Sequence, residues 1–143
     1  MLKSIGGVVA GVLAGAIIII VVEALGHIIF PPPAGTNVSD PEQLKSIIGQ
    51  VPVGAKIAVI VAWFAGILGG GIVSLLIALR WAPVAWVVAG TLFAMAGITM
   101  LQIPHPWWMV AGAIIATLAG GYGAIKLTKA TYARPVPAPK PGL

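Results

Sequence analysis

Glu23 and His27 stand one helical turn apart near the end of a long apolar run, in the stretch VVEALGHIIFPPP that spans Val21–Pro33. A carboxylate and an imidazole at that spacing share a helical face. Three more polar side chains fall near the ends of other apolar runs on the same predicted side: Lys56, Gln102 and His105. Ionisable groups inside a membrane are costly and usually face a partner or a wet cavity. Four kinds of chemistry fit this set. Glu23, His27 and His105 supply the imidazole and carboxylate donors of a metal site, although Lys56 nearby disfavours a cation. Glu23 with His27 as relay suits proton or ion translocation, but no further ionisable residue continues the path across the membrane. His27 or His105 suits axial ligation of a tetrapyrrole. The preferred expectation is a structural polar cluster, in which Glu23 pairs with Lys56 or hydrogen-bonds His27 and His105 binds backbone at its turn. No resident cofactor is expected.

What must position these residues is set by composition. The chain has 143 residues, of which 59% are hydrophobic and 8% charged, with a mean hydropathy of +1.08. A water-soluble chain this short cannot hide that much apolar surface, because small domains leave a large fraction of their surface exposed. Lipid must solvate the outside. The net charge of +5 comes from basic residues scattered singly at the ends of apolar runs, the pattern of topology signals rather than of a nucleic-acid face. Cysteine is absent, which excludes disulfides, thiol catalysis and cysteine-held metal.

Four apolar runs are long enough to cross a bilayer core as helices, which takes about 20 residues: Ile5–Phe30, Val53–Leu79, Val84–Ile103 and Trp107–Leu127. In lipid the backbone must satisfy its own hydrogen bonds, so these are helices, and the fold class is all-α with four transmembrane helices. The first run exceeds the usual h-region of a signal peptide, which favours its retention as a membrane helix. Residues 31–52 form the one long connection. Within it, Asp40-Pro41 or Ser39 with Glu42 caps a short helix. Leu44, Ile47 and Ile48 give that helix an apolar stripe, and Gly49 ends it. A short amphipathic helix at the membrane surface is therefore predicted. Residues 1–130 form the membrane domain, and the proline-rich 131–143 form an extended or disordered tail.

Lys3, Arg80, Lys126, Lys129, Arg134 and Lys140 fall on one side of a four-pass layout, and Lys45 and Lys56 on the other. That asymmetry predicts cytoplasmic termini. Small residues recur every fourth position: Gly7, Gly11 and Gly15; Ala58, Ala62, Gly66, Gly70, Ser74 and Ala78; Gly112, Ala116, Gly120 and Ala124. Such rows let helix backbones approach closely where lipid removes the hydrophobic drive. Gly69-Gly70-Gly71 lies inside one row, so packing is expected there rather than a pore. Trp81, Trp86, Trp107 and Trp108 are expected as interfacial anchors, and the deeper Trp63 as a packing or ligand-facing residue.

The motifs Glu23-Ala24-Leu25-Gly26-His27, Pro31-Pro32-Pro33-Ala34-Gly35, Asp40-Pro41-Glu42, Gly69-Gly70-Gly71 and Ile103-Pro104-His105-Pro106-Trp107 together resemble a group of small four-helix bacterial inner-membrane proteins. The resemblance covers the chain apart from its tail. It implies fold and location, and it carries no catalytic residues across. Small multidrug-resistance transporters share the helix count, but their local motifs are missing and Glu23 is not mid-membrane. No nucleophile-base pair or phosphate-binding glycine loop is visible, and only three carboxylates occur in the chain, so an enzyme is not expected. The expectation is an accessory or scaffolding subunit of an inner-membrane complex, in contact with lipid and with a membrane-protein partner or a second copy. The alternative is a small proton or metal-ion transporter using Glu23, His27, Lys56 and His105.

Overall fold

The computed structural model describes residues 2–31, 34, 35, 37, 40–103 and 105–134. Five helices follow in order: α1 (Leu2–Ile29), α2 (Pro41–Ile47), α3 (Val53–Ile77), α4 (Pro83–Gln102) and α5 (Trp107–Thr128). All but α2 are long and apolar enough to cross a membrane, and the chain is a multi-pass membrane protein. Large apolar side chains point outward along α1 at every fourth position, from Ile5, Val9, Leu13 and Ile17 to Val21, Leu25 and Ile29. In water such a face would demand a partner; lipid tails solvate it without cost.

The opposite face of α1 is glycine, and it sets the architecture. A Cβ added at Gly7 would lie 2.7 Å from the Ser74 carbonyl oxygen; one at Gly11, 2.6 Å from that of Gly70; one at Gly15, 2.8 Å from that of Gly66. The two helices therefore run antiparallel with their backbones in contact. α3 is the hub of the bundle, packing against α1, α4 and α5, while α4 also touches α1 and α5. Within Gly69-Gly70-Gly71 each glycine serves a neighbour: Gly69 lies against Ile18, Gly70 against Gly11 and Gly15, and Gly71 against Ala124. The α5 row is used in the same way, with Gly112 beneath Ile60 and Gly120 beneath Ile67. The rows that sequence singled out on α1, α3 and α5 are thus used inside the bundle.

Threonine hydroxyls along the spans close on their own helices. Thr91, Thr117 and Thr128 each donate to the carbonyl four residues back, at 2.8 Å, which satisfies them without a partner helix.

The start of α1, the end of α5 and the α3–α4 turn lie at one end. The fully buried core is concentrated there and at mid-bundle, around Leu75, Ala78, Ala82, Val84, Ala85 and Ala124, then Ile67, Val88, Ala89 and Leu92. At this end the first residues after α5 bond back to the bundle. The Thr131 N–H donates to Arg80 O at 2.9 Å, Thr131 O accepts from Ala82 N–H at 2.8 Å, and Trp86 Nε1 donates to the Tyr132 hydroxyl at 3.0 Å. The Arg134 guanidinium stacks over Trp81 at 5.6 Å, within cation–π range. Residues 131–134 are fastened to the α3–α4 turn, and Trp81 and Trp86 hold them there. The remainder of the proline-rich tail, 135–143, lies outside the described residues, as do Ser39, Pro104 and the side chain of Leu44.

Helix α5 ends in a left-handed residue, Lys129 at φ 54°, with Ala130 N–H donating to Ile125 O at 3.0 Å. That is the geometry glycine usually supplies at a helix end. Lys129→Gly is expected to raise the unfolding free energy by about 1 kcal/mol by removing the left-handed penalty, read as a higher denaturation midpoint in detergent. Helix α2 is capped as the Asp40-Pro41 pair predicts: Asp40 Oδ1 accepts from Glu42 N–H at 3.0 Å, and Pro41 occupies the first turn.

Candidate functional site

At the end opposite the α3–α4 turn, a cavity lies between α1 and α4. The two helices touch where Val88 and Leu92 reach Gly11 and Gly15. Beyond Leu92 the cavity, of about 460 Å³, opens. Its walls are Ile19, Glu23 and His27 of α1 with Phe30 just after it, Lys56, Val59 and Trp63 of α3, and Leu92, Met95 and Thr99 of α4. Met109 of α5 closes the far side, and Ile47, Ile48 and Val51 at the end of α2 border the cavity as well. Ile103 and His105 contribute from the α4–α5 link.

The structure places four of the five predicted polar residues on this one cavity. Lys56 is the most buried of them, at 9% exposure. Its position, one turn into α3, lets the aliphatic stem lie along the bundle while the ammonium faces the cavity. Glu23 and His105 are half-buried and His27 is exposed. Gln102 is exposed at the end of α4 and does not line the cavity, because the last turn of α4 carries it to the outer face.

The pairings that sequence suggested for Glu23 are not formed. Among the described residues the salt bridge present is Lys45–Glu42 on α2, at 2.7 Å, and neither Glu23 nor Lys56 makes a side-chain hydrogen bond. For Lys56, the α1–α3 register explains why. Gly26 faces Ala58, which sets Lys56 level with residue 28, about five residues or ~7.5 Å of helical rise beyond Glu23. His105 does bind backbone at its turn: its Nδ1 lies 2.6 Å from the Ile103 carbonyl oxygen. A carbonyl only accepts, so Nδ1 donates this bond. Among the described residues no three histidine, aspartate or glutamate side chains gather closely enough to hold a metal ion. Glu23, His27 and His105 share the cavity without forming a ligand set.

Trp63 is 6% exposed and forms the floor. Beneath it lies a void of about 10 Å³ bounded by Ile19, Ile67, Phe93, Ala113 and Thr117, at most the room for one water. Below that, the glycine contacts close α1 onto α3. The arrangement is therefore a pocket closed at the Trp63 end, with mostly apolar walls and its polar groups toward the other end. Sequence reasoning marked Trp63 as potentially ligand-facing, but it did not find Met95, Thr99 or Met109. Nothing in an apolar membrane segment distinguishes a lipid-facing side chain from one bordering a gap between helices.

No protein-family model, curated protein or solved structure matches the chain.

Proposed function

We propose that this chain is a non-enzymatic membrane protein that binds a small molecule in the cavity between α1 and α4. The carrying observation is the cavity itself: about 460 Å³, with Glu23, His27, Lys56 and His105 on mostly apolar walls. Small-molecule sites commonly occupy about 300–1,000 Å³ and combine apolar lining with a few polar groups. The motif resemblance and the clustering of Arg80, Lys126, Lys129 and Arg134 at the terminal end support a bacterial inner membrane with cytoplasmic termini. The cavity then opens on the outer side, with the α2 segment above it at the membrane surface. Transport by the same cluster would need a route past Trp63, where the packing offers none that is polar. Binding without translocation fits better.

Thr99→Trp tests this directly. The residue is exposed on the cavity rim, so the bundle can tolerate the change while the cavity fills. Native mass spectrometry from gentle detergent is expected to show a co-purifying small molecule on the wild-type chain and its loss from the variant. Equal retention by both would remove the cavity as the site.

One observation supports the accessory-subunit reading beside it. Gly90 and Gly97 of α4 have no neighbouring atoms in the space a Cβ would fill, out to 4 Å, and Ala94 between them is exposed. This is room for a further helix. Gly90→Leu is expected to weaken co-purification of a partner or second copy without unfolding the chain. Migration of the wild-type protein alone in gentle detergent would count against it.

A further inference from the structure

Resting on the binding reading above, we propose that the cavity takes an anionic amphiphile. Its acidic headgroup, a carboxylate or phosphate, pairs with Lys56, and its apolar chain enters sideways from the bilayer between α1 and α4.

Lys56 selects the headgroup. It is nine-tenths buried, lines the cavity and has no ion pair or hydrogen bond among the described residues. Buried charges ordinarily have a partner, and this residue, buried along its length, has none among the described residues. No buried polar side-chain atom is left unsatisfied among the described residues, so the Lys56 nitrogen retains access to space, and the cavity is the space it borders. The other ionisable groups on the cavity do not replace it. Glu23 and His27 lie one turn apart on the α1 wall, an acid beside a base. His105 has its Nδ1 committed to Ile103 O. The α3 wall therefore presents the cation that remains without a partner.

The opening selects the chain. Ile20 of α1 and Met95 of α4 both border the cavity, yet they are 65% and 51% exposed. Both residues lie well inside their membrane-spanning helices, so the gap between Ile20 and Met95 faces hydrocarbon rather than the aqueous surface. A chain moving from lipid into these walls changes its surroundings little and gains little free energy. Discrimination must then come from the headgroup, where a charge-assisted contact in a low-dielectric site is strong.

Quenching of Trp63, on the cavity floor, tests the assignment on the full chain in neutral detergent. The probes are a long-chain fatty acid brominated along its chain and the methyl ester of the same acid. Saturable quenching by the acid is expected, lost in Trp63→Phe, with a Kd about ten-fold or more below that of the ester. Lys56→Gln is expected to bring the two probes within about two-fold of each other. Lys56→Arg should restore the preference. Brominated phosphatidylglycerol against brominated phosphatidylcholine distinguishes a membrane lipid from a free fatty acid as the source of the headgroup.

Equal affinity of acid and ester for the wild-type chain overturns the anionic assignment and leaves cavity binding standing. So does an acid preference that survives Lys56→Gln. If no probe quenches saturably, the binding reading falls with it. Should Lys56→Gln fail to fold, the wild-type comparison and Lys56→Arg decide.

Discussion

Gly11→Leu is expected to cost the bundle about 3 kcal/mol or more, the upper range for forcing volume into a packed site. A Cβ alone at this position would stand 2.6 Å from the Gly70 carbonyl oxygen and 2.7 Å from the Ser74 Cβ. Neither atom can turn aside: one belongs to the α3 backbone and the other is fixed to it. The helices must separate, and every dispersion contact along Gly7–Ser74, Gly11–Gly70 and Gly15–Gly66 weakens together. Gly90→Leu supplies the contrast, because nothing stands within 4 Å of its Cβ position. Its effect on stability of the isolated chain is expected within about 0.5 kcal/mol. Reversible unfolding in mixed micelles, followed by circular dichroism, measures both. Equal effects would show that α1 is held by something other than its glycine face.

Trp63→Ala is the second large effect. The ring is 6% exposed and separates the 460 Å³ cavity from the 10 Å³ void beneath it. Removing it joins the two spaces, which Ile19 and Leu92 also border. Truncating a buried tryptophan typically costs about 3–5 kcal/mol. The lower part of that range is expected here, because the ring already borders open space on one side. The same unfolding assay reads the loss. A second signature separates this from general damage: a lipid-like molecule filling the enlarged cavity should restore stability by mass action. Trp63→Phe, which keeps the floor, should lose little of either. No change in unfolding on Trp63→Ala would mean that the ring is not a packing element.

Much of the fold was legible in the one-dimensional pattern. The four spans emerged from apolar length, and their observed limits differ from the expected ones by a few residues at the ends. The α2 cap was readable because Asp40-Pro41 is a local device whose chemistry acts within three residues. The packing rows were readable because small residues at spacing four have one plain use in lipid. The candidate site was legible only as a list. Glu23, His27, Lys56 and His105 were placed at one end by counting along helices, and they do share a cavity. Gln102 was counted to the same level yet points outward, since counting gives depth but not azimuth. The suggested Glu23–Lys56 pair failed for a related reason. Depth was known to within a turn, whereas an ion pair needs its two atoms within 4 Å.

The sequence by itself determined membrane residence, the number of spans, the caps and the faces able to pack, because each depends on composition or on spacing within one helix. Tertiary structure decided which row meets which, and with it the relative height of Glu23 and Lys56. It also decided that a cavity lies between α1 and α4, and that residues 131–134 return to the α3–α4 turn. Those outcomes depend on backbones meeting at glycines far apart in the chain. One helix turn of slip between α1 and α3 would move every polar side chain on one wall by about 5.4 Å relative to the other.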